Sequence, residues 1–301
     1  MRLGTRIERT TDTDGLERTA DQMTTTRTGA PTTRSSSGPL AARRSTRGLA
    51  ALAALGVLTL TACEDSASIG VQPDPPDAGC TRVEEPRHYE IFFVLDVSGS
   101  MVPFLSTVRE ELQSLAAGFP TEDALGRGVR VDYYVVGFVN DSKVFGGGRM
   151  SSTLALQGAL DDAIAAGAAE KNLTQDSANI EPEENLLDAL AQVATLAEDS
   201  ASTKVVLVAT DAPFVESPSQ LNQGLRVQAT YGAVRADLER LQARVHLFTG
   251  QFIPGLTQPW NGAPPLSTLP GGGAYRLDEL QGARQRVAER LNIIARSAVC
   301  G

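Results

Sequence analysis

Cysteine, histidine and tryptophan are scarce in this sequence: three Cys, two His (His88 and His246) and one Trp in 301 residues. So few cysteines and histidines exclude the Cys/His spacing of a zinc site. No apolar run reaches the ~20 residues that a membrane-spanning helix needs. The longest, GLAALAALGVLTLTAC from Gly48 to Cys63, has an apolar core of about a dozen residues. Positive charge is also scarce beyond that run. Residues 1–62 carry nine Arg against five acids, a net of +4, so with −9 overall the rest of the chain carries −13. An acidic region without a basic stripe excludes nucleic acid as the expected partner and suits a surface that holds cations. The first 47 residues lack aliphatic periodicity. Thr, Arg and Ser dominate there, and such a segment cannot repay its chain entropy by burial.

What is present divides the chain. Arg43, Arg44 and Arg47 precede the apolar run and small residues close it, the layout of an export signal. Its end, LTAC from Leu60 to Cys63, resembles the bacterial lipobox, which implies acylation of Cys63. Acyl chains add about 0.8 kcal/mol of membrane affinity per buried methylene. The basic region is long for such a signal, which leaves open a start downstream of Met1. The expected organisation is an unstructured extension over 1–47, a lipoprotein signal over 48–63, a Pro-rich tether over 64–87 and one domain over 88–300. The expected location is the bacterial cell envelope, with inner and outer membrane left open. Export leads to an oxidising compartment. Cys80 and Cys300 bracket the domain, and a disulfide between them would close a loop of about 220 residues, contributing roughly 4–5 kcal/mol. Two free thiols are the alternative.

Within the domain, apolar runs alternate with amphipathic stretches. Strands are expected at 89–96, 128–141, near 143–145, 204–211, 245–250 and 274–277. Helices are expected at 103–119, 153–166, 183–199, 230–244 and 278–298. Continuous apolar strands interleaved with helices predict an α/β fold: a doubly wound, mostly parallel sheet with helices on both faces.

Two of these strands end on aspartate, IFFVLD at Asp96 and KVVLVATD at Asp211. Ligands of open α/β sheets bind at the carboxyl ends of the central strands. After Asp96 come Ser98 and Ser100, and alternation puts both hydroxyls on one side of an extended loop. Hydroxyls and carboxylates suit hard divalent cations, Mg²⁺, Mn²⁺ or Ca²⁺. The plainer reading is that Ser98 or Ser100 caps the following helix.

DVSGS at the end of a buried strand resembles the DxSxS metal-ion-dependent adhesion site of von Willebrand factor type A (VWA) domains. The similarity runs over about residues 88–298 and includes VVLVATDAPF and LPGGGAYRL. It implies a VWA fold, a bound divalent cation, and metal ligation by Asp96, Ser98, Ser100 and Asp211. The middle-loop position departs from the commoner pattern. NIEPEENLLDAL is similar to the variant in which Pro-Glu opens the helix, which implies Glu183 as ligand, with Thr174 in reserve. The resemblance further implies adhesion through the metal, a partner's Asp or Glu replacing a bound water. The expectation is therefore a lipid-anchored envelope protein, not an enzyme, binding an acidic protein ligand through a divalent cation. The alternatives are a scaffold with a structural or degenerate metal site and, further off, a metal-dependent hydrolase. Trp260, in the loop 251–273, is expected to pack that loop onto the domain, with partner contact as the alternative.

Overall fold

The computed structural model describes residues 88–300 except 123–125, 180–181, 198, 222–223 and 251. All of these belong to the unit Glu64–Gly301. The proposed signal, the proposed acylation site Cys63, the tether and Cys80, and with Cys80 the expected disulfide, lie outside the described residues. Among the described residues no helix is long and apolar enough to cross a membrane.

Six strands form one sheet in the order β3-β2-β1-β4-β5-β6. They are β1 (His88–Asp96), β2 (Arg130–Phe138), β3 (Ser142–Met150), β4 (Thr203–Thr210), β5 (Arg244–Thr249) and β6 (Gly273–Arg276). All pairs are parallel except β2–β3. The fold is thus the expected mostly parallel α/β sheet covered on both faces. β1 shows why. Ile91, Phe93 and Leu95 point into one apolar layer and Phe92 and Val94 into the other. A strand buried on both faces has no room for polar alternation, and each fully buried large apolar side chain contributes about 1.5–3 kcal/mol.

The first layer packs the sheet against α1 (Val102–Glu110), α2 (Leu112–Gly118), α3 (Thr153–Gly167), the short α6 (Leu277–Leu280) and α7 (Arg284–Cys300). The second packs it against α4 (Leu186–Leu196) and α5 (Tyr231–Arg240). The strand order reverses between β1 and β4, so the carboxyl ends of these two strands form the switch point where open sheets bind ligands.

Three boundaries differ from the sequence expectation in ways that matter. The helix expected over 103–119 breaks at Glu111, whose backbone leaves the helical region. The short strand expected near 143–145 is a nine-residue antiparallel edge strand. It runs through Gly146, Gly147 and Gly148, all with positive φ, a conformation glycine adopts without steric cost. The helix expected from residue 183 begins at Leu186, because the Asn185 side chain accepts the Asp188 backbone N–H and takes the N-cap. Glu183 and Glu184 therefore precede the helix.

Candidate functional site

The site begins with the end of β1. Val97 N–H donates to Phe138 O at 3.0 Å, which keeps the chain on the sheet one residue beyond Asp96. The end of α3 closes against this point. A methyl group on Gly167 would lie 1.7 Å from Val97 O, so only glycine lets the helix approach so near. The chain then turns through a short 3₁₀ segment, Gly99–Met101, anchored by the buried Met101. Neither serine caps a helix. Ser98, the N-cap of the 3₁₀ turn, makes no side-chain cap bond, and the N-cap of α1 is Met101. The two hydroxyls instead lie 3.1 Å apart, and both residues line a cleft of about 520 Å³ at the sheet edge.

Asp96 is fully buried behind them. Its Oδ1 accepts the Ser98 backbone N–H and its Oδ2 the Thr210 hydroxyl, both at 2.9 Å. Burial pushes this carboxyl up to about 6; hydrogen bonds from Ser98 and Thr210 hold it down, and the charge of Asp211 adds to the rise. Asp211 follows the end of β4, is exposed and lines the cleft.

Between the positions named from the sequence, the middle-loop acid falls one residue away. Glu184, not Glu183, lines the cleft. The reason is a backbone bridge to the segment after β4. Glu184 N–H donates to Pro213 O at 2.9 Å and Val215 N–H to Glu184 O at 3.3 Å, which sets Glu184 beside the Asp211 loop. Glu184 is 3% exposed, and its Oε2 is buried with no hydrogen-bond partner. Oε1 receives only a long bond, 3.5 Å, from Asn179 Nδ2. Burial, and then the negative charges of Asp96, Asp211 and Asp141, push Glu184 up to about 8. Thr174, the reserve, does not line the cleft. Its hydroxyl and N–H, with the Leu173 N–H, all donate to Asp141, the two N–H bonds at 2.7 Å.

Other residues at the site carried no signal in the sequence reading. Thr210 orients Asp96 from the neighbouring strand. Glu170, Lys171 and Asn179 reach the cleft from a small hairpin after α3, closed by Asn179 N–H to Glu170 O at 3.1 Å and the Lys171–Ala178 bridge. Lys171 ion-pairs with Asp176 at 2.5 Å, the hairpin's own acid. Both histidines are elsewhere. His88 lies at the opposite edge, and His246 is buried in β5, its pKa pushed down to about 3 chiefly by burial. Trp260 packs its loop onto the domain, its Nε1–H donating to Glu216 Oε2 at 2.6 Å and its ring 4.9 Å from that of Phe214.

The donor set is all oxygen, hydroxyls in front and carboxylates around them, as a hard cation requires. A buried carboxylate oxygen without a partner, beside two further acids, fits such a cation. Among the described residues no three His, Cys, Asp or Glu side chains are grouped as a ready-made metal cage.

No protein-family model matches the sequence, and no curated protein matches it. Solved structures similar in fold include the human COPII-coat protein Sec24c, at 12% identity and TM-score 0.46, over 69% of this chain and 32% of that one. A von Willebrand factor type A protein from Catenulispora acidiphila matches at 12% identity and TM-score 0.43, over 70% and 43% of the two chains. Proximal thread matrix protein 1 of the mussel byssus matches at 17% identity and TM-score 0.41, over 68% and 46%. This chain thus spans less than half of each, and the likeness is one of fold alone.

Proposed function

We propose that this domain binds a divalent cation at the carboxyl edge of its sheet, through Ser98, Ser100 and Glu184, and uses it to hold an acidic group of a protein ligand. The observation that carries the reading is Glu184: buried, with Oε2 unpartnered, among the charges of Asp96, Asp211 and Asp141. Burying carboxylates together without a cation is costly, and pairing or metal coordination relieves that cost. Asp96 and Thr210 orient the motif loop, as residues behind a metal ligand do. Asp211 stands exposed at the rim, where it acts on the ion through water. When bound, the cation supplies the positive charge to which a partner's Asp or Glu is drawn. The two hydroxyls and the carboxylates of the chain leave part of an octahedral shell to water and to that partner. The VWA resemblance of DVSGS supports the same mode.

The role we infer is binding rather than catalysis, as the resemblance of DVSGS to an adhesion-type metal motif implies. The envelope location, the acyl anchor on Cys63 and the Cys80–Cys300 disulfide belong to this reading and rest on the sequence alone. A scaffold with a degenerate site is the second reading, favoured by the lack of a compact three-acid cage among the described residues.

Thermal unfolding of the full chain against rising Mg²⁺, Mn²⁺ or Ca²⁺ tests the proposal. A ligand that binds only the folded state adds about 2.7 kcal/mol at a hundred times its Kd. The expected result is stabilisation that grows with the ion and disappears in Asp96→Ala. Identical melts with and without every ion point to the scaffold.

A further inference from the structure

An acid from outside the motif comes close to the motif loop. A methyl group built on Gly99, between Ser98 and Ser100, would lie 3.9 Å from Glu170 Oε1. The carboxylate of Glu170 therefore overhangs the one position of the motif loop that has no side chain. Glu170 is exposed and is held at φ +53, a left-handed conformation that is uncommon outside glycine. Its backbone is fixed from both sides. Its N–H donates to Gly167 O at 3.0 Å, the residue locked against Val97, and its carbonyl accepts Asn179 N–H. The hairpin beyond it is tied down by Asp141 at Leu173 and Thr174 and by Lys171–Asp176. Non-glycine residues held in sparsely populated backbone regions cluster at ligand clamps, where surrounding structure determines them. The second observation is the unpartnered, buried Oε2 of Glu184 in the same cleft.

We propose that Glu170 is a built-in carboxylate of the cation site: it approaches the ion from the solvent side, over Gly99, where a partner's acid must enter, and the partner has to displace it. This rests on the cation reading above. It gives Glu170 two effects of opposite sign. It adds a negative oxygen donor, which tightens the cation. It also occupies the open coordination position, which weakens any incoming carboxylate. A residue that only shaped the hairpin would move both affinities in one direction.

The test uses the full chain and Mn²⁺ alone by calorimetry, then acetyl-glutamate amide as a one-carboxylate probe on the Mn²⁺-loaded protein. Glu170→Gln is expected to weaken Mn²⁺ about tenfold, a loss of about 1.4 kcal/mol, and to strengthen the probe by a similar factor. Asp162→Asn, which removes an exposed acid of α3 that does not line the cleft, separates ligation from the general field. It is expected to change Mn²⁺ affinity by less than about threefold, the scale of an exposed charge. Equal losses in the two variants, or a Glu170→Gln protein that gains nothing for the probe, overturn the proposal while the cation reading stands. Wild-type protein that binds no Mn²⁺ overturns both.

Discussion

At the amino-terminal edge of the sheet, Glu90 is fully buried but sits among donors. Tyr134 Oη–H donates to it at 3.3 Å, the Ser202 hydroxyl donates to its other oxygen, and Lys204 Nζ lies 3.9 Å away. Next to it Asp132, equally buried, meets Arg130 at 2.5 Å and His88 at 2.9 Å, and His88 reaches Asp199 at 2.9 Å through its other nitrogen. At the carboxyl edge of the same strands, Asp96 and Glu184 are as deeply buried, and they face Asp211 and Asp141 instead of a cation. Lys171, which lines that cleft, pairs with Asp176. One edge uses buried charge to join strands; the other leaves it uncompensated. Burial alone therefore does not mark a site. What marks it is buried negative charge without an internal cation.

The contrast breaks most severely at the compensated edge. Lys204→Met removes the cation nearest Glu90, and breaking a buried pair from one side costs about 3–5 kcal/mol. Urea unfolding is expected to show a loss of that order, unaffected by divalent ions. At the carboxyl edge the sign reverses. Glu184→Gln removes a charge that the metal-free fold disfavours, so metal-free stability at pH 8 is expected to rise by about 4 kcal/mol.

The pH dependence sharpens this further. Glu184 is raised from 4.5 to about 8 in the folded state, so that state holds a proton the unfolded chain has lost. Its stabilising effect is full below about pH 4.5 and is lost as pH rises through 8. Asp96 behaves likewise between 3.8 and about 6. His246, lowered from 6.5 to about 3, has the opposite sense and loses stability as pH falls below 6.5. Between pH 6.5 and 8 Glu184 therefore acts without these two. Metal-free melts are expected to fall across that window in the wild type and to flatten in Glu184→Gln. The smallest effect concerns the neighbouring loop. Trp260→Phe keeps the contact with Phe214 and loses the bond to Glu216, about 1 kcal/mol by denaturant unfolding, without changing metal response.

The fold class was legible because β1 and β4 are too apolar to be anything but doubly covered strands. The motif was legible because DVSGS stands at the end of one of them. Thr210 was not, since its role depends on β4 lying beside β1, a pairing between residues more than a hundred positions apart. Nor was the choice between Glu183 and Glu184. Both follow Pro182 and read equally well as the start of a helix. The bridge from Glu184 to the segment after β4, with Asn185 taking the cap, decides it. Glu170 escaped for the same reason. Its place over Gly99 comes from the contact between Gly167 and Val97, which only the folded chain contains.

Calorimetric titration of Mn²⁺ into the full chain at neutral pH, with Glu184→Gln and Glu183→Gln beside the wild type, tests the central claim most directly. The account predicts one ion per chain, weakened at least about tenfold, or about 1.4 kcal/mol, in Glu184→Gln and unchanged in Glu183→Gln. A wild type that binds no ion, or a loss that follows Glu183 and spares Glu184, would contradict it.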